Sequence, residues 1–144
     1  MKIPNKCKYI EIQKFGAPEV LSIKIKKVPE INDNEILIKV KASGVNRPDV
    51  LQRQGKYLPP KNASNIPGLE VSGIIVKLGK NVKYLKLNQK VCALTHGGGY
   101  AEYCKVYWKH VLPIPKNFNF IEAAAIPETF FTVWYNLFDL GKLK

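Results

Sequence analysis

Three groups of residues carry side chains suited to chemistry. Cys92, His96, Cys104 and His110 give the spacing C-x3-H-x7-C-x5-H. Thiolate and imidazole are zinc ligands, so the set is a metal candidate. Its intervals match neither a zinc finger nor a ribbon, and two small buried cysteines with two strand or turn histidines is the plainer reading. The second group is "HGGGYAEY". A dinucleotide fingerprint needs a third glycine opening a helix, so that a pyrophosphate meets the helix N-terminus. Glu102 stands where that glycine is required, and strand-like sequence follows, so a hairpin turn is expected. The third group is "NIPGLEVSGIIVKLG", in which Glu70 is the one carboxylate of an apolar, glycine-punctuated run. A charge in such a run needs a partner, and Arg47 or a backbone N–H is expected. No G-x-S-x-G occurs, and two histidines with scattered serines make no triad.

The elements that position these residues follow from periodicity. "KYIEIQKF" and "VLSIKIKKV" alternate apolar and polar residues, as half-buried strands do. "EILIKVKASGV" resumes the alternation and sets Ile36, Ile38, Val40 and Ala42 on one face. Asn46 opens a short helix over Arg47–Gln54, with Pro48 in its first turn and Gly55 as its stop. "KYLPPKNASNIPG" is a loop. "LEVSGIIVKLG" is a strand interrupted by Gly73, and "NQKVCALTH" is another. After Pro115, helix-period apolar residues appear. Pro127 divides them into two helices and Gly141 stops the second. Many strands followed by helices predict a mostly β fold, a barrel with helical appendages, rather than a parallel sheet.

The chain has 144 residues, 46% of them hydrophobic, which suffices for one domain with a real core. Its net charge of +12 raises nucleic acid as a partner. Only Arg47 and Arg53 are arginines, however, and the lysines are spread from Lys2 to Lys144 without a block, so no specific nucleic-acid binding is expected. Three cysteines without a C-x-x-C argue against a disulfide framework and for a reducing compartment. With no secretory h-region and no apolar run of membrane-span length, the expectation is a cytoplasmic protein.

The frame Gly68-x-Glu70-x-x-Gly73-x5-Gly79-x-x-Val82 resembles the medium-chain dehydrogenase/reductase superfamily. In its zinc enzymes a His precedes the Glu and a Cys ends an earlier strand, both as metal ligands. Here those places hold Leu69 and, in "VNRPD", Asn46, while Asp49 is kept. A leucine has no donor atom and an amide is a poor one, so no zinc is expected. "SGVNRPDVLQRQGKYLPP", "IPGLEVSG", "GGGYAEY" and "AAAIPETFFTVWYNL" are similar to the zinc-free NAD(P)H:quinone oxidoreductases, of the zeta-crystallin-like and p53-inducible type.

That resemblance implies a chaperonin-10-like (GroES-like), partly open β-barrel over residues 1–125. Residues 126–144 would form a helix leading to a Rossmann domain that lies beyond this sequence. It implies hydride transfer from NADPH or NADH to a quinone or enone, without metal or flavin, most of the cofactor being held by that further domain. Asn46, Arg47 and Thr132 are the implied cofactor contacts. Asn46 and Tyr57 would meet the substrate, with Tyr57 as the candidate proton donor. Asp49, Gly68, Glu70, Gly73 and Gly79 form the structural frame. A separate Rossmann-bearing chain is the implied protein partner. The other reading is a non-catalytic fragment that serves as a binding or oligomerisation module.

Overall fold

The computed structural model describes residues 2–144. Strand β1 (Lys6–Ile12) pairs antiparallel with β2 (Leu21–Lys27) as a two-stranded sheet. A second sheet holds β3 (Glu35–Ser43), β4 (Glu70–Leu78), β5 (Lys90–Leu94), β6 (Tyr103–Tyr107) and β7 (Val111–Pro113). Its order is β6-β3-β4-β5-β7, and every pair is antiparallel. The sheets join where Ile10 N–H donates to Tyr100 O (2.8 Å) and Glu102 N–H donates to Lys8 O (3.0 Å). Helix α1 (Arg47–Arg53) lies between β3 and β4. Helices α2 (Phe120–Ala124) and α3 (Pro127–Trp134) follow the strands, and Tyr135–Leu140 continues α3 as a π-helical turn. The predicted mostly β architecture with helical appendages is the observed one.

The alternation of β3 explains the core. Ile36 and Ile38 are fully buried and pack with Val71, Ile75, Val91 and Val106; Val40 packs against the same cluster. Leu37 points the other way and packs with Cys7 and Tyr103, beneath β1. The side-chain period of 2 therefore feeds two separate apolar clusters from one strand. Each buried isoleucine is worth roughly 1.5–3 kcal/mol of transfer free energy. Register shifts at Leu37/Ile38 and Val40/Ala42 mark irregularities opposite β4. Bulges of this kind bend a strand and increase its twist, as a curving sheet requires.

One local expectation is corrected. Gly97–Gly99 do not close a hairpin, because β5 and β6 are not neighbours: β3 and β4 lie between them. The three glycines instead run along residues 64–68. Gly98 N–H donates to Ile66 O (2.7 Å) and Gly99 N–H to Gly68 O (3.0 Å). Gly97 has φ +74° and Gly98 φ +86°, and a Cβ on Gly97 would meet the Ser64 and Ile66 carbonyls. Only glycine combines that backbone with so close an approach.

Candidate functional site

The site grows from the end of β3. Beyond Ser43 the chain reaches Asn46, whose extended backbone (φ −117°, ψ 163°) precedes the first turn of α1. Pro48 fits that turn, where a backbone N–H would lack a helical partner anyway. Asp49 Oδ2 accepts the Asn46 N–H (2.9 Å), which satisfies one orphan donor at the helix start. Asp49 Oδ1 accepts the Gly68 N–H (2.8 Å), so this buried carboxylate pins α1 to the approach to β4. Gly68 has φ +100° and passes against Tyr100; its carbonyl accepts from Thr95 Oγ1 at 2.8 Å.

Glu70 opens β4 and is 2% exposed. Its Oε1 accepts from Asn46 Nδ2 (2.8 Å) and its Oε2 accepts the Glu128 N–H (2.9 Å). Glu128 is the second residue of α3, where unpaired N–H groups and the helix dipole favour an anion. Of the two partners expected from sequence, the backbone N–H is found; Arg47 is exposed, and no ion pair of Glu70 occurs among the described residues. Gly44 explains how the carboxylate fits: a Cβ there would overlap Glu70.

Other ionisable groups feel this cluster. Burial, then the charges of Glu70 and Asp49, raise the Glu128 carboxyl above its ordinary value. Burial, then the neighbouring Asp49 carboxylate, push the Tyr100 phenol well above its usual range, and its buried hydroxyl makes no well-formed hydrogen bond among the described residues. Tyr100 therefore stays protonated at neutral pH. Sequence reasoning passed over it, since only the fold of the glycine segment brings it beside Asp49.

The remaining predicted residues sit differently. Tyr57 lies in the loop after α1 and is 45% exposed, outside the hydrogen-bonded cluster. Thr132 is exposed on α3 and its Oγ1 donates to Glu128 O (2.7 Å), a helical threonine bonding its own backbone. Gly73 and Gly79 allow close approaches within this chain: a Cβ would strike Lys39 O at the first, and the Asn32 and Asp33 carbonyls at the second. Cys92 and Cys104 are buried free thiols, and the His96 and His110 rings meet edge-on at 5.3 Å. Burial pushes the Cys104 thiol up to about 12. Among the described residues, no group of three or more His, Cys, Asp or Glu is placed to hold a metal ion. No helix there is long and apolar enough to cross a membrane.

An antiparallel barrel, a carboxylate frame at the strand ends and an apolar helix beyond it form the setting for comparison with known proteins. The alcohol dehydrogenase GroES-like domain matches residues 32–116. The chain therefore belongs to the alcohol dehydrogenase GroES-like domain family, within the medium-chain dehydrogenase/reductase superfamily. A "synaptic vesicle membrane protein VAT-1 homolog-like" from Mus musculus is 36% identical over 130 residues, covering 90% of this chain and 31% of the relative. A "quinone oxidoreductase" from Mus musculus is 36% identical over 137 residues, covering 94% and 41%. The crystal structure of the human VAT-1 homolog-like protein superposes with a TM-score of 0.88 at 35% identity, over 96% of this chain and 45% of that one. The chain thus spans less than half the length of each of these relatives.

Proposed function

We propose that this chain is the substrate-side part of an NAD(P)H-dependent quinone oxidoreductase, acting by direct hydride transfer without zinc or flavin. The observation that carries the reading is the Asn46–Glu70 pair. At the two positions where zinc enzymes of the superfamily place Cys and His, this chain has an amide tied to a carboxylate and a leucine with no donor atom. The quinone oxidoreductase relative supports the substrate class.

Bound NADPH or NADH would supply the hydride. The chain's own groups orient and hold. The Asn46 amide nitrogen carries a second hydrogen beyond the one given to Glu70, free to donate to a ribose or carbonyl oxygen. Glu70 fixes that amide's orientation. Arg47 and Thr132, both exposed, would face the cofactor, and Tyr57 the quinone. Holding two rings in a reactive geometry is itself a large catalytic contribution.

In this reading residues 1–125 form the barrel and residues 126–144 lead towards a Rossmann domain, in the same chain or a separate one. The apolar C-terminal segment agrees. Phe130, Val133, Trp134, Tyr135 and Leu140 are each more than half exposed, a patch that suits a protein neighbour. In this reading the protein works in the cytoplasm, where its three thiols stay reduced. The test is NADPH oxidation with 1,4-benzoquinone, by the chain alone and with a Rossmann-bearing chain supplied. Turnover in the second condition is expected. No NADPH binding and no turnover in either would overturn the assignment.

A further inference from the structure

Gly97 and Gly98 line a cavity of about 150 Å³ in which Asn46 takes no part. Its walls include Lys26, Lys105, Ser64, Asn62, His96 and Tyr103. Their polar groups are notable for what they lack. Lys26 is half-buried; its Nζ lies 5.3 Å from the centre of the Tyr9 ring, and it makes no ion pair or hydrogen bond among the described residues. Tyr103 is 6% exposed, and its phenol makes no hydrogen bond among the described residues. Ser64 Oγ accepts from Ile66 N–H (3.1 Å), so its own O–H remains to be given. Asn62 and His96, both exposed, stand at the solvent side of the cavity.

The acidic side is small. Glu35 is the one carboxylate on the wall, and it is paired with Lys105 at 3.2 Å. The formal balance is two lysines against one glutamate, leaving one positive charge at Lys26. A half-buried amine without a counter-ion is costly, and burial lowers its pKa from the ordinary value. Tyr103 moves the other way: burial, with Glu102 and Cys7, raises its phenol, so it remains a donor. Such a wall offers several donors to one ligand. An anion with several acceptor oxygens satisfies them together, with charge-assisted hydrogen bonds to Lys26.

We propose that this cavity is a binding site for a phosphate-type oxyanion, held by Lys26, Ser64, Asn62 and Tyr103. A second cavity, of about 670 Å³, shares Lys26 and Ser64 and is otherwise lined by Tyr9, Glu11, Ile12, Gln13, Asn65 and Ile66. The anion is therefore either free phosphate or the phosphate of a monoester whose organic part extends along Tyr9 and Ile12. The site is independent of the quinone-reductase reading, since it shares no residue with the Asn46–Glu70 cluster.

The test is a titration of the 144-residue chain with inorganic phosphate and with phenyl phosphate, followed by backbone amide NMR at constant ionic strength. Saturable shifts confined to Lys26, Ser64, Gly97 and Tyr103 are expected, with chloride giving none. Phenyl phosphate binding tighter than phosphate, with added shifts at Tyr9 and Ile12, identifies a monoester site; equal affinity identifies a site for the free ion. Lys26→Gln should weaken binding at least tenfold and Lys26→Arg less than threefold. Ser64→Ala, which leaves the lysine in place, should weaken it severalfold. Shifts that never saturate, that chloride reproduces, or that Lys26→Gln leaves unchanged would overturn the proposal.

Discussion

Glu70 Oε2 accepts the Glu128 N–H at 2.9 Å, across 58 residues of sequence. With Asn46 Nδ2 on its other oxygen at 2.8 Å, Glu70 joins the start of β4 to the starts of α1 and α3. Glu70→Ala removes both acceptors and leaves two half-buried donors without their partner. A loss of about 1–3 kcal/mol is expected, from two part-buried hydrogen bonds at ~0.5–1.5 kcal/mol each. Urea unfolding measures it. A loss below 0.5 kcal/mol would remove Glu70 from the frame.

Gly44 serves this same carboxylate. Gly44→Ala sets a methyl group onto Glu70, so either the carboxylate or the strand end must shift. Destabilisation of roughly 1–3 kcal/mol is expected for such overpacking. The variant should also lose the Asn46 amide's fixed orientation, visible as broadened or displaced Asn46 side-chain NH2 resonances. A double variant with Glu70→Ala should recover part of the loss, because the clash then disappears.

Glu128 has a pKa raised above 4.5 by burial and by the charges of Glu70 and Asp49. In the window from 4.5 to its raised native value, the folded protein binds more protons at Glu128 than the unfolded chain does. Its contribution to stability therefore falls as pH rises through that window. Glu128→Gln keeps the backbone N–H that Glu70 needs and removes the titration. The variant should gain stability relative to the parent as pH rises from 4 to 7, measured by thermal unfolding at each pH. A difference that is constant with pH contradicts the electrostatic cause.

Cys104 is 2% exposed, and its thiol is pushed up to about 12 by burial. At pH 8 its thiolate fraction is about a thousandfold below that of an ordinary cysteine, and the thiolate is the reactive form. Iodoacetamide should label Cys104 in the denatured chain and spare it in the folded one, read by mass spectrometry. Rapid native labelling would mean that β6 opens readily.

The period-2 alternation of residues 35–43 was enough to place Ile36 and Ile38 in the core, because a strand's two faces are determined by chain stereochemistry alone. Asn46 and Pro48 marked a helix start for the same kind of reason: their preferences act within one turn. Pro127 divided the last helices because its ring has no N–H to continue them. Leu69, which has no donor atom, and Asn46, whose amide is a poor one, were equally legible as residues ill suited to zinc.

What only the tertiary structure decided are the long-range partners. Sequence named a backbone N–H for Glu70 but not which one, because Glu128 lies 58 positions away. The hairpin expected at Gly97–Gly99 failed because adjacency in sequence does not fix adjacency in a sheet: β3 and β4 take the places between β5 and β6. Tyr100 and Lys26 have no local signature at all. The hydroxyl of one is buried beside Asp49 and the other is half-buried on a cavity wall because strands distant in sequence close around them. Local chemistry names the elements and their ends, while the desolvation of a charge depends on which surfaces finally meet.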